Sequence, residues 1–152
     1  EQMAVFASTT EINGKPLNTI IGTEKLPMED WEELKLRVIQ GGKNIIDLRG
    51  RSSFQSPAYL SIEMIAAAMG GKPFRWPAGV YVNNDKFSHI MMAMETSITK
   101  DGVKVMPIKG PPAEDQELEK SYAHLCALRD EVIGMGVLPA IDKWHDLNKN
   151  IH

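Results

Sequence analysis

The residues best suited to chemistry lie in one polar run at positions 49–59, with the sequence Arg-Gly-Arg-Ser-Ser-Phe-Gln-Ser-Pro-Ala-Tyr. It places guanidinium, hydroxyl and amide groups between two segments of helical pattern. Because the N-terminus of a helix has unpaired N–H groups and a positive dipole, such a break favours an anionic ligand. The same residues also suit an ordinary helix start, with Ser53 or Ser56 as the N-cap and Pro57 in the first turn. The run therefore predicts either an anion-binding site or an ordinary capped helix start.

Other candidates for self-contained chemistry are weak. The four histidines are scattered along the chain: His89, His124, His145 and His152. None has a cysteine or carboxylate at metal-ligand spacing, so we predict no metal site. Residues 134–139 (GMGVLP) begin like a dinucleotide fingerprint, but they lack the third small residue and follow a helical pattern. We therefore expect no catalytic apparatus within the chain itself.

Two helical patterns flank the polar run. A long helix is predicted to start near Pro27, and its apolar residues recur at helical spacings: Trp31, Leu34, Val38 and Ile45. The pair Gly41-Gly42 interrupts it and predicts a kink or a close helix crossing. Residues 58–69 form a second pattern, rich in Ala and Met, which we expect to be a central, buried helix.

The rest of the chain changes from strands to a closing helix. Strands are predicted at 3–8, 79–83 and 89–99, and Asp101-Gly102 suits a two-residue turn that would pair Ile98 with Val105. A long amphipathic helix is predicted over 113–134, followed by a short last helix that carries Trp144. The apolar stripe of the long helix consists of Leu118, Tyr122, Leu125, Leu128 and Val132. This order predicts an α+β fold.

Composition limits the class of protein. The chain has 152 residues, 43% of them hydrophobic and 24% charged, which suits a single domain over residues 1–152. A formal net charge of -3 leaves no basic stripe, so we expect no nucleic-acid partner. No apolar run is long enough to span a bilayer, so we expect no membrane association. The single cysteine, Cys126, favours a reducing compartment, and we predict the cytoplasm.

A family resemblance covers nearly all of the chain up to residue 136. Residues 42–53 (GKNIIDLRGRSS), the helix after them, the strands ending at Asp101-Gly102-Val103 and the closing helix resemble the C-terminal, substrate-side domain of the lactate/malate dehydrogenase family. The likeness is greatest to bacterial malate dehydrogenases. The resemblance implies antiparallel strands packed against long helices. The tail at 137–152 is less typical of the family.

The resemblance also implies an activity that this chain would share with a second domain. In the family, an N-terminal Rossmann domain binds NAD, and a histidine that would lie just before Glu1 is the general acid/base. The reaction is reversible hydride transfer between malate and oxaloacetate. Because the chain starts at Glu1, we expect it to lack that domain and that histidine and to be inactive alone. The family's habit also predicts a homo-oligomer.

The resemblance assigns roles to the polar run. Ser52 matches the small hydroxyl position on the substrate side, where a small residue leaves room for a dicarboxylate. Ser53, Gln55 and Ser56 match positions near the nicotinamide of NAD. Arg51 is a departure, because the family usually has an uncharged residue there. It is predicted either to bind a substrate carboxylate or to face solvent or a partner subunit.

Three alternatives to malate dehydrogenase remain open. The domain could serve a lactate or other 2-hydroxy-acid dehydrogenase. An NAD-dependent glycosidase would need metal-binding cysteine and histidine, which this region lacks. A free-standing interaction module with no enzymatic function is the third, although the apolar segment so close to Glu1 argues against it.

Overall fold

The computed structural model describes residues 3–107 and 110–151. Its elements, in chain order, are β1 (Glu11–Ile12), β2 (Lys15–Pro16), α1 (Met28–Ile39), α2 (Gly41–Arg49), α3 (Gln55–Ala68), β3 (Phe74–Val82), β4 (Ile90–Thr99), β5 (Gly102–Val105), α4 (Pro112–Gly134) and α5 (Trp144–Leu147). Single turns of 3-10 helix lie at Leu17–Thr19 and Ile141–Lys143. The predicted α+β class is confirmed. The expectations about Glu1 and His152 lie outside the described residues.

The main core lies between one face of an antiparallel sheet and α4. The sheet has the strand order β3-β4-β5. Alternate residues of β4 point to the core, as the period of two requires, and they are Ile90, Met92, Met94 and Thr96. From α4, Leu118 is buried against them, and Tyr122 and Leu125 are partly buried. The predicted helix and most of its stripe are therefore confirmed, although Leu128 is exposed.

A smaller core joins the start of the chain to α1. It consists of Ala7, Leu17 and Trp31, with Val5 packed against it. The strand predicted at 3–8 is wrong, because residues 3–6 form no ladder with any described residue and residues 7–9 form a turn. Its contact is instead with α4, where the backbone N–H of Ser8 donates to Glu114 Oε1 at 2.9 Å.

The helix α3 is not the buried helix that its composition predicts. The side chains of Ile62 and Ile65 are 66% and 59% exposed, and Ala67 is its one buried residue. In α1, Trp31 is buried but Val38 is 51% exposed. Apolar composition predicts that a surface needs a partner, but within the described residues only Trp31 of α1 and Ala67 of α3 are buried. The three helices α1 to α3 therefore present broad apolar faces.

The β4-β5 hairpin has a different register from the predicted one. Thr99 pairs with Gly102 and Ile98 with Val103, so the two-residue loop is Lys100-Asp101. Gly102 has a φ of +118°, which glycine adopts without strain, and this lets it open the returning strand. The shift is two residues, so the faces of the strand are unchanged. The predicted break in the first helix is confirmed at Gln40. No atom of another described segment lies within 4 Å of a Cβ built at Gly41 or Gly42, so none of the described helices crosses closely there.

A polar cluster connects the far end of the sheet to the tail. The hydroxyl of Tyr81 lies 2.7 Å from Nδ1 of His89, and the Tyr81 ring lies 6.4 Å from that of Trp144. Trp144 donates its indole N–H to the carbonyl of Pro139 at 2.8 Å. The tail is therefore packed onto β3. Among the described residues, no helix is both long and apolar enough to cross a membrane.

Burial raises the pKa of Tyr81, which makes stability sensitive to alkaline pH. Since the folded state holds this proton more tightly than the unfolded state, the stabilisation is complete below the ordinary tyrosine pKa of about 10 and is lost as pH rises above it. We expect Tyr81→Phe to lower the free energy of unfolding by about 1 kcal/mol at pH 8, through loss of the hydrogen bond to His89. The same substitution should also reduce the fall in the free energy of unfolding between pH 9 and pH 11. Urea unfolding at several pH values measures both, and an unchanged alkaline slope would contradict this assignment.

Candidate functional site

The α2–α3 loop carries the polar run. Helix α2 ends at Arg49, and Gly50 follows with a φ of +67°, where its N–H bonds to the carbonyl of Ile46. This left-handed residue reverses the chain, because glycine has no Cβ to clash. Helix α3 begins at Gln55, and Phe54 occupies its N-cap position. All five predicted site residues therefore lie within six positions, at the start of α3.

The predicted serine caps are wrong. No side chain caps α3, and Phe54 rather than Ser53 holds the N-cap position. Pro57 lies in the first turn, as predicted. No described residue forms a hydrogen bond to the hydroxyl of Ser52, Ser53 or Ser56. Ser52 and Ser56 are exposed and Ser53 is half-buried, so these hydroxyls are available to a ligand.

Two guanidinium groups share the ring of Phe54. The Cζ atom of Arg49 lies 5.6 Å from the ring centroid and that of Arg51 lies 5.0 Å from it, both within cation–π range. Arg49 also donates from Nη1 to Oε1 of Gln55 at 3.0 Å. Phe54 itself is 53% exposed. The sequence analysis predicted roles for the hydroxyls but did not predict this stack. The short spacing between the two arginines and Phe54 was the signal that could have predicted it.

The loop carries positive charge and hydroxyl groups but no histidine or carboxylate. Its positive charge and hydroxyl groups suit a carboxylate ligand. Residues 49–59 include no histidine, aspartate or glutamate, so the run contains no ordinary general acid or base. On α3, Glu63 accepts a hydrogen bond from Tyr59 and thereby raises the pKa of that phenol. A ligand bound at this loop would need a histidine or carboxylate from outside residues 49–59 for proton transfer.

A groove lies away from this loop, on the sheet. It has a volume of about 400 Å³ and is lined by residues that include Arg75, Glu95, Thr99 and Lys104. The α2–α3 loop is instead an open surface, so a closed pocket there needs a second surface to cover it. No three His, Cys, Asp or Glu side chains gather as a possible metal site in the described ranges.

The glycines at 134 and 136 do not form a dinucleotide-binding site. Gly134 ends α4 and Gly136 lies in the turn after it with a φ of +72°, so these glycines follow a helix and do not form the strand–turn–helix cradle of a dinucleotide site. Ser53, Gln55 and Ser56 could touch a nicotinamide through their hydroxyl and amide groups.

Comparisons with known proteins match this chain to one domain family. The sequence profile described as "lactate/malate dehydrogenase, alpha/beta C-terminal domain" matches residues 1–133. The chain is 30% identical over 131 residues to the malate dehydrogenase of Pelagibacter ubique, in a match that covers 84% of this chain and 41% of that protein.

Solved structures show the same fold. Malate dehydrogenase from Plasmodium falciparum, in complex with NADH, has a TM-score of 0.78 at 19% identity, over 88% of this chain and 44% of that one. The minor L-lactate dehydrogenase from Enterococcus mundtii has a TM-score of 0.73 at 20% identity, over 85% of this chain and 42% of that one. The chain thus spans less than half the length of these relatives. The predicted resemblance and fold are confirmed.

Proposed function

This chain belongs to the lactate/malate dehydrogenase family, as its alpha/beta C-terminal domain, and from this premise we propose that it forms the substrate-side wall of an NAD-dependent malate dehydrogenase. The observation that carries the proposal is the α2–α3 loop, whose hydroxyls and Arg51 guanidinium have no hydrogen-bond partner among the described residues. The similarity to a malate dehydrogenase over 84% of the chain supports the same substrate class.

In this proposal the chain binds and orients the hydroxy acid. Ser52 lines the substrate side, where its small side chain leaves room for a dicarboxylate, and Arg51 faces a carboxylate. Ser53, Gln55 and Ser56 approach the nicotinamide. NAD, when bound, supplies the hydride acceptor for malate oxidation. Because the loop contains no proton-transfer group, the general acid/base and the main cofactor site belong to a Rossmann domain outside residues 1–152.

The exposed apolar faces of the helices support a larger assembly. Ile62, Ile65 and Met69 on or beside α3 are 66%, 59% and 83% exposed, and such surfaces usually mark a protein interface. We expect the Rossmann domain and a second copy of the protein to cover them, which gives a homo-oligomer. The single, half-buried Cys126 supports a reducing compartment, and we place the enzyme in the cytoplasm.

The test is the substrate preference of the complete gene product that contains this chain. NADH oxidation should be faster with oxaloacetate than with pyruvate. Ser52→Thr adds one methyl group beside the substrate, and it should lower the oxaloacetate-to-pyruvate ratio of kcat/KM by about tenfold.

Ser61→Thr is the matched control, because it makes the same change on an exposed position of α3 and should leave the ratio unchanged. Equal ratios for the parent and Ser52→Thr would overturn the role of Ser52. A preference for pyruvate would favour a lactate or other 2-hydroxy-acid dehydrogenase. No turnover with either compound would favour a non-catalytic interaction module.

A further inference from the structure

The segment at residues 3–9 lies between the two cores of the domain. Its successive side chains alternate between them: Ala4 and Phe6 pack against the main core, whereas Val5 and Ala7 belong to the smaller one. This alternation fixes which side of the segment faces each core. Because apolar contact is non-directional, the position of the segment along its own length depends on polar contacts.

Glu114, in the first turn of α4, supplies such a polar contact. Its Oε1 atom accepts the backbone N–H of Ser8 at 2.9 Å, and its Oε2 atom accepts the hydroxyl of the same residue. The two residues are 106 positions apart in the sequence, and both are half-buried. A carboxylate that accepts two hydrogen bonds from one residue fixes the orientation of that residue as well as its position.

Gly110 makes room for this contact. A Cβ atom at this position would lie 2.9 Å from Oε2 of Glu114 and 2.9 Å from Cε1 of Phe6, which is closer than side chains pack. The absence of a side chain at Gly110 therefore lets the carboxylate and the Phe6 ring approach the same stretch of backbone. The Ser8–Glu114 contact is thus enclosed by the chain on both sides.

Resting on the proposed function, we infer that Glu114 is a positioning residue that acts through Ser8 on the histidine that the resemblance places just before Glu1. Residues 3–9 are the part of this domain that leads along the chain toward that histidine. By holding Ser8, the carboxylate sets the place and direction from which the chain continues. Since a misplacement of about 1 Å can cost about 100-fold in rate, loss of this contact slows the proton transfer without removing a group that touches the substrate.

Single-turnover NADH oxidation by the complete gene product tests this inference. The protein is kept in excess over NADH, and oxaloacetate, or pyruvate if the parent protein prefers it, is saturating. Glu114→Ala removes both acceptors and should lower the rate constant at least about tenfold. Ser8→Ala removes one of the two hydrogen bonds and should lower the rate constant about threefold. The substrate concentration that gives half the maximal rate constant should stay within about twofold of the parent's value.

The rate constant distinguishes positioning from a general structural effect. Unfolded protein lowers the amplitude of a single turnover but leaves its rate constant unchanged. In the Glu114→Ala background, Ser8→Ala should have no further effect, because the acceptor of its hydroxyl is gone. Ser8→Thr keeps the hydroxyl and should retain the parent rate constant.

Glu117→Ala is the matched control. It removes a carboxylate from the same helix, where Glu117 accepts a hydrogen bond from Lys120 at 3.2 Å, and it should leave the rate constant unchanged. An equal loss in this control would show that any loss of negative charge from α4 has the same effect, and the inference would fail.

Three other results would overturn the inference. Parent rate constants in both Glu114→Ala and Ser8→Ala, with or without a smaller amplitude, would show that the contact is only structural. A raised half-saturating substrate concentration with an unchanged maximal rate constant would assign the contact to substrate binding. If Glu114→Ala does not fold, an unchanged rate constant in Ser8→Ala is sufficient to reject the inference. In each case the parent still turns over substrate, whereas a parent that oxidised NADH with neither compound would overturn the proposed function itself.

Discussion

Replacing Phe87 with alanine should lower the free energy of unfolding by about 3–5 kcal/mol. The Phe87 side chain is 2% exposed and belongs to the core cluster between the sheet and α4. Its ring meets that of Tyr122 edge-on, with 5.1 Å between centroids. Truncation would therefore remove buried apolar area and leave a cavity that the surrounding β4 and α4 side chains cannot fill. Urea unfolding of the 152-residue chain, followed by circular dichroism, measures the change.

Ile62→Ala is the matched control, because it truncates an apolar side chain that is 66% exposed. In the chain by itself this change should alter the free energy of unfolding by less than about 1 kcal/mol, since little buried surface is lost and alanine favours a helix. A cost of several kcal/mol for Ile62→Ala would show that α3 is buried after all. A cost near zero for Phe87→Ala would contradict the position of the main core.

Replacing Arg129 with methionine should lower the free energy of unfolding by about 2–3 kcal/mol, because two backbone carbonyls lose a charged donor. The side chain of Arg129 is 14% exposed. Its Nη1 donates to the carbonyls of Ser88 and His89 at 3.1 and 3.0 Å. The hydrogen bond to Asp130 raises the pKa of Arg129, which favours the charged guanidinium. His89 has a φ of +50°, and these bonds help to hold that uncommon conformation.

The same unfolding assay distinguishes the shape of the Arg129 side chain from its charge. Arg129→Lys should recover only part of the loss, because an ammonium group has no planar fork to span two carbonyls and a carboxylate. Arg37→Ala, at an exposed position of α1, should have little effect. Full stability in Arg129→Met would mean that water replaces the guanidinium at both carbonyls without cost.

Features that depend on neighbouring residues in the chain were predictable. The closing helix was predicted over 113–134 and lies at Pro112–Gly134. Its apolar residues follow the helical period, prolines lie at its start and a glycine lies at its end. The polar break between two helices was also predicted, and the five proposed site residues lie there at the start of α3. Neither their ligand nor their roles follow from the fold, so those remain proposals.

Features that depend on distant partners were not predictable. The segment at 3–8 has strand-like composition, but a strand needs a neighbour, and this segment packs against α1 and bonds to Glu114 instead. The hairpin register also differs from the predicted one, because Gly102 pairs with Thr99 and opens the returning strand instead of lying in the turn. The serine caps failed because Phe54 takes the N-cap position while the two arginines stack on its ring.

By itself, the sequence determined the fold class, the order of elements, the polar run and the family resemblance. Each of these rests on local periodicity, composition or motif order, which require no knowledge of what lies across the molecule. The tertiary structure alone decided which apolar faces are covered, how Arg129 ties α4 to the chain before β4, and how Arg49 and Arg51 differ on one ring. These depend on groups brought together by folding, because burial and hydrogen bonding are properties of spatial neighbours.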